Sequence, residues 1–137
     1  MFYEYRLTVP ANTPAATPLT REVVLAPGRI VAMAVQLPRG CVGLVHAQIW
    51  QGLDVHWPSN PDSSICGDAV VVEWQESFDL DPTAPRLRLA AWNLDDSFPH
   101  TVTFRINVLA QAVIDQQGRA LAALDFLYRW YTQRPST

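Results

Sequence analysis

Lysine is absent from this 137-residue chain, and all ten of its basic residues are arginine. That bias fits either a GC-rich or thermophilic coding background or selection for rigid, bidentate surface contacts, which a guanidinium makes and an ammonium does not. The arginines form no basic stripe or cluster and the net charge is −3, so no nucleic-acid partner is expected. Cysteine is scarce: Cys41 and Cys66 lack a CxxC spacing, which leaves at most one disulfide and otherwise two ordinary packed thiols. No apolar run approaches the roughly 20 residues that cross a bilayer. The opening MFYEYR has no basic n-region followed by an apolar h-region, so neither a membrane partner nor a signal peptide is expected. These absences point to a soluble chain made in the cytoplasm.

What the chain does have is apolar residues, 49% of the total, in a length that suits one domain with its own core. They are arranged with period two. In FYEYRLTV, Tyr3, Tyr5, Leu7 and Val9 alternate with Glu4, Arg6 and Thr8, the pattern of a half-buried strand. The Pro-rich stretch 10–18 (PANTPAATP) cannot continue a ladder and reads as a long surface connection. Further strands are expected at 21–26, 30–37, 41–50, a short one ending at Trp57, 69–78, 87–93 and 101–108, separated by turns such as Pro27-Gly28, Pro38-Arg39-Gly40 and Asp95-Asp96-Ser97. In the last strand Val102, Phe104, Ile106 and Val108 face one way and Thr101, Thr103, Arg105 and Asn107 the other. Eight strands with no helix between them predict an all-β fold, an eight-stranded antiparallel β-sandwich of the jelly-roll kind, over residues 1–110.

Residues 111–137 break the pattern and read as a C-terminal helical arm. Leu121, Leu124, Tyr128 and Tyr131 fall at helical spacing and Asp125 pairs with Arg129 at i,i+4, which predicts an amphipathic helix of about four turns over 119–131, closed by Pro135. An apolar face added after a complete sandwich has to be covered, either by its own domain or by a neighbouring chain. Eight strands already suffice for a two-sheet core, so a neighbouring chain is expected, contacted through Leu121, Leu124, Leu127, Tyr128, Trp130 and Tyr131.

The chemistry-bearing residues do not assemble into a catalytic motif. His46 and His56 lie on the two strands of one hairpin, with Asp54 as the sole near third ligand, and the clustered His-x-His of metal-binding jelly rolls is missing. No GxSxG elbow or Gly-rich phosphate loop occurs. Glu73 and Glu76 sit three apart on a strand and therefore point to opposite faces, unlike a glycosidase pair. No enzymatic activity, metal or cofactor is expected. The segment HWPSNPDSSICGD, residues 56–68, reads as an ordered loop built on Asx-type turns, with Trp57 buried beneath it and Asp68 closing it onto backbone N–H groups. It is also a possible recognition loop, carried by Trp57, Asn60, Asp62 and Asp68, since sandwich ends are where such loops bind.

The YEYRLTVPAN opening and the WNLDDSFPHTVTFRI segment, set on this strand pattern, resemble the small jelly-roll accessory proteins of tailed-phage virions, the capsid decoration proteins among them. The resemblance covers most of the sandwich as a pattern and includes no diagnostic catalytic or binding motif. It implies a virion location, a symmetric homo-oligomer with a trimer favoured, terminal arms that reach neighbours, and a capsid or tail protein as partner. The C-terminal helix is not a general feature of that class. The alternative function is a carbohydrate-binding β-sandwich module, in which Trp50, Trp57, Trp74 and Trp92 would stack on sugar rings.

Overall fold

The computed structural model describes residues 1–133. The chain forms β1 (Phe2–Val9), β2 (Leu19–Val24), β3 (Gly28–Leu37), β4 (Val45–Gln51), β5 (Asp54–Trp57), β6 (Ile65–Cys66), β7 (Val70–Asp79), β8 (Arg86–Asn93), β9 (His100–Ala110) and α1 (Gln111–Thr132). All strand pairings are antiparallel. One sheet runs β1-β9-β3-β7 and the other β2-β8-β4-β5, with β6 also on β4. Period-two alternation gives each sheet one apolar face. The two faces meet over a shared core in which Val9, Ile30, Ile49, Leu89, Phe104 and Ile106 are fully buried.

Among the described residues nine strands form where eight were expected. The extra one, β6, lies inside the 56–68 segment. Its residues pair His46 with Cys66 and Ala47 with Ile65, while β5 pairs with the far half of β4, Trp57 opposite Ile49. Thus β5 and β6 are successive pieces of one edge strand, and residues 58–64 leave it and return. A two-residue strand carries too little alternation to be read from sequence. The fourth strand also begins later than expected, at Val45. Residues 41–44 form a turn closed by Leu44 N–H on Cys41 O at 2.8 Å, with Val42 at φ 49°. Both cysteines are free thiols.

Asn93 ties one end of the two sheets together. Fully buried, its amide donates to Val9 O and Phe98 O and its oxygen accepts from Asp95 N–H, so the buried polar group is satisfied.

The helix differs most from expectation. It spans 22 residues, about six turns, starting at Gln111 directly after β9 rather than at 119. Gln111 N–H bonds to Pro27 O at the β3 entry. The first turn lies near β3 and β9, and none of the helix is buried. From 115 to 133 every residue is exposed. Pro135, the expected stop, lies outside the described residues.

Candidate functional site

Two surfaces gather the residues that sequence reasoning singled out. The first is α1. Leu121, Leu124, Leu127, Tyr128, Trp130 and Tyr131 are each 54–72% exposed, and Phe126, which sequence spacing did not select, is 68% exposed. The Asp125 carboxylate meets Arg129 Nε at 3.0 Å, and Gln111 donates to Asp115 at 3.0 Å; these pairs support the helix along its polar side.

The second surface surrounds the 58–64 excursion, and its residues divide between the two faces of the second sheet. On the outer face, β4 presents His46, Gln48 and Trp50, and β8 presents Trp92 opposite His46. The His46 and Trp92 rings stack, with centroids 5.3 Å apart and planes 3° apart. Gln48 accepts from Trp50 Nε1 at 3.1 Å and donates to Ser63 O at 2.8 Å, and His46 Nδ1 bonds Ser64 Oγ at 2.7 Å. These bonds from β4 hold the excursion down. Its turn closes through Ser63 N–H on Asn60 O, backbone to backbone, and not through the Asx side chains expected of Asn60 and Asp62. Asp62 lines a groove of about 320 Å³ with Trp50, Trp92, Gln48 and the Pro-rich 15–18 stretch.

On the inner side, Trp57 is 5% exposed and donates its indole N–H to Glu76 Oε2 at 2.7 Å. Glu76 Oε1 accepts Ser77 N–H at 2.9 Å. The Trp57 N–H bond foremost, then the Ser77 N–H, hold this carboxyl below the usual range. His56 packs its ring on Trp57 and Phe78 at 4.3 and 4.6 Å between centroids. Across from Trp57 stands Trp74 of β7, whose Nε1 is buried without a hydrogen-bond partner; it lies near enough to Glu76 to favour the ionised carboxylate. Trp57, Pro58, Ser59, Ile65, Val72, Trp74 and Glu76 enclose a cleft of about 270 Å³ between the edges of the two sheets. The Trp57–Pro58 peptide is cis.

Asp68 belongs to neither face. Its Oδ1 accepts Gly40 N–H at 2.8 Å and Val42 N–H at 3.0 Å, fastening the β6–β7 link to the β3–β4 turn and lowering its own pKa, through the Val42 bond most of all. The histidines do not converge: His46 stands opposite Cys66, whereas His56 is beside Trp57, further along β4. Among the described residues no group of three or more His, Cys, Asp or Glu is placed to hold a metal ion, and no helix is long and apolar enough to cross a membrane. Of the four sandwich tryptophans, Trp57 alone is buried, and Trp50, Trp74 and Trp92 are half-buried. Sequence reasoning missed Glu76 as Trp57's partner, although the signal was present. Glu76 occupies the inward register of β7 with Val72, Trp74 and Phe78, a carboxylate in an apolar row.

The titratable groups around these loops predict an acid-labile fold. Asp68, Glu76 and Asp95 have lowered pKa values, Asp95 chiefly through His100, which bonds it at 2.7 Å. A carboxyl with a lower pKa folded than unfolded contributes stability that is complete above the ordinary carboxylate range and is lost as pH falls through the folded value. Burial lowers the His46 pKa as well. The unfolded chain therefore takes up that proton below about pH 6.5 while the fold resists it, and stability again falls with pH. Melting temperature at fixed protein concentration should be level above about pH 7, decline gently to pH 5 and drop steeply below about pH 4. His46→Gln should remove the gentle part alone; a variant that keeps it would show that His46 is not its source.

A scan against protein-family models matches none to the chain, and a search of the curated proteins finds no relative.

Proposed function

We propose that the protein is a non-enzymatic assembly component, a virion accessory of the capsid-decoration or tail-associated kind, that binds a protein lattice as a homo-oligomer. One observation carries this reading: a six-turn helix leaves the sandwich with no buried residue and with seven large apolar side chains each more than half exposed. At about 150–250 Å² for an aromatic side chain, they present on the order of 800 Å² of apolar surface. That exceeds the roughly 300–600 Å² patch of an ordinary monomer and matches one side of a stable interface. A helix alone in water is marginal, and Gly118 in its middle costs it about 1 kcal/mol.

The spacing of the side chains favours another copy as the first partner. Ile114, Gln117, Leu121, Leu124, Tyr128 and Tyr131 repeat at alternating intervals of three and four, the spacing of a helix-bundle seam, and Phe126 lies away from that seam, on the side that a lattice protein would meet. A trimer is the favoured count, from the resemblance to decoration proteins. The strand orders β1-β9-β3-β7 and β2-β8-β4-β5 support the same class, since the chain alternates between the two sheets except at the β4–β5 hairpin, as in a jelly roll, with β6 as an addition.

The test is truncation. Light scattering of the full chain should give a multiple of the 15.3 kDa monomer mass, and a chain ending at Gln111 should give the monomer mass with its β circular dichroism unchanged. Full-length protein should co-sediment with tailed-phage particles from its source, and the truncated chain should not. A monomeric full chain that binds no particle, or a truncated chain that still assembles, overturns the reading. Unfolding of the truncated chain would assign α1 to the core of its own domain, which also overturns it.

A further inference from the structure

The groove on the outer face of the second sheet uses no residue of α1 and stands apart from the assembly reading. Its floor is Gln48 and Trp50 of β4 with Trp92 of β8, and its walls are the 15–18 stretch and residues 61–64. Both walls are fastened. The first is held by reciprocal backbone bonds between Thr13 and Asn93 and by a turn from Thr17 N–H to Pro14 O. The second hangs on Gln48 and His46. A groove held open in this way binds without first ordering its loops. Its volume, about 320 Å³, lies within the roughly 300–1,000 Å³ of small-molecule sites.

Its unused polar groups sort the ligand classes. Asp62 is exposed, and its carboxylate makes no hydrogen bond or ion pair among the described residues. The Trp92 N–H also lacks a partner among them and, unlike that of Trp74, is not buried. Gln48 is spent on Ser63 O and the Trp50 N–H, and the Ser64 hydroxyl on His46. An anion would meet the Asp62 carboxylate and no cationic lining side chain, since burial keeps the neighbouring His46 neutral at pH 7. A quaternary ammonium needs a box of aromatic rings. Here the Trp50–Arg88 and His46–Trp92 rows stand four residues apart, about 13 Å along the strands, too far to close one. A proline-rich peptide suits an aromatic floor, but its carbonyls call for several donors and Trp92 offers one. A sugar hydroxyl accepts and donates without charge, which matches one free N–H and one free carboxylate. The C–H faces of sugar rings pack on indole, and two separated indoles suit a chain of rings better than one ring.

We infer that this groove binds a neutral oligosaccharide, its rings lying against Trp50 and Trp92 and its hydroxyls donating to Asp62 and accepting from the Trp92 N–H. Of the four candidate stacking tryptophans, the half-buried pair on the outer face is selected, and Asp62 is added as the polar contact that a pattern of tryptophans does not contain.

The full-length protein is screened on an array of neutral oligosaccharides, and the best-retained one is titrated into nitrogen-15-labelled protein. Its monosaccharide, a polyproline peptide and tetramethylammonium chloride are titrated in parallel. The five tryptophans give five indole N–H signals, and Trp50→Phe and Trp92→Phe assign two of them by loss. The oligosaccharide should move the Trp50 and Trp92 signals saturably and together, and its monosaccharide should bind more weakly. Asp62→Asn, which breaks no contact within the described chain, should weaken oligosaccharide binding about tenfold or more, the usual cost of a hydrogen bond to a charged group. Sugar binding in this groove is refuted if the array retains no protein, if the peptide or the ammonium salt moves the two signals as strongly, or if the monosaccharide binds as tightly. It is equally refuted if Asp62→Asn binds like the parent, or if the Trp57 or Trp74 signal responds in place of Trp50 and Trp92.

Discussion

Phe104→Ala is expected to destabilise the protein by about 3–5 kcal/mol, through the lost transfer free energy of the ring and the cavity left behind. Phe104 is the largest of the fully buried side chains. It sits on β9, which is flanked by β1 and β3, with Tyr5 and Val35 as its cross-strand neighbours. Both flanking strands hold the site, so it has little freedom to collapse, and the cost should fall in the upper part of that range. Thr103→Ala is the control. Thr103 points to the outer face, as alternation requires, yet it is 8% exposed, because Arg6 and Gln36 stand on either side of it. Losing a hydroxyl from that covered but solvent-side position should cost about 1 kcal/mol or less. Urea unfolding at one protein concentration, with unchanged m-values, measures both. Equal and mild effects would contradict the register of β9.

Gly28→Ala should be the next most damaging change, at roughly 2–4 kcal/mol. Gly28 opens β3 with φ +155°, and a Cβ there would stand 2.1 Å from the carbonyl oxygen of Leu109 and 3.0 Å from its carbon. Both are main-chain atoms of β9, so no rotamer change relieves the contact; the strands must part. Gly28 pairs with Ala110, its carbonyl accepts Leu80 N–H, and the adjacent Pro27 carbonyl accepts Gln111 N–H. Parting the strands therefore disturbs the first sheet and the exit into α1 together. Gly52→Ala separates the two causes, since Gly52 has φ +60° with no atom within 4 Å of a built Cβ. Backbone strain alone there should cost about 1 kcal/mol. If Gly28→Ala unfolds at the same urea concentration as Gly52→Ala, close approach is not what holds glycine at position 28.

The Pro27-Gly28 pair shows how far local reasoning extends. A turn and a positive φ follow from the dipeptide itself, but the contact with Leu109 depends on a strand some 80 residues later, and no window on the sequence contains both. The same division runs through the loop. Trp57 as a buried ring and Asp68 as an acceptor of backbone N–H groups were readable from residue type beside a turn. That Asp68 would reach Gly40 and Val42 of another turn was not, and neither was the return of Ile65–Cys66 to the edge of β4, since two residues are too few to show a period. The WNLDDSFPH segment is informative for a structural reason. Asn93, Asp95 and His100 bond one another and the neighbouring backbone, so their spacing is that of a capped connection between β8 and β9.

For α1 the sequence determined that a helix with apolar surface follows the strands, because helical period and i,i+4 pairing are properties of the segment itself. It did not determine where the helix starts. Residues 109–114 (LAQAVI) satisfy strand and helix alike, and the choice falls to Ala110 facing Gly28 as the last pair of the β3–β9 ladder. By itself, then, the sequence determined the all-β class, the inward registers of β1 and β9 and the terminal helix, each of which is written in the periodicity of one stretch of chain. Only the tertiary structure decided that no residue of the helix is buried among the described residues, and that Trp57, Trp74 and Glu76 share one cleft. Those facts depend on which strands become edges and which edges face each other, and that is settled by packing between segments far apart in the chain.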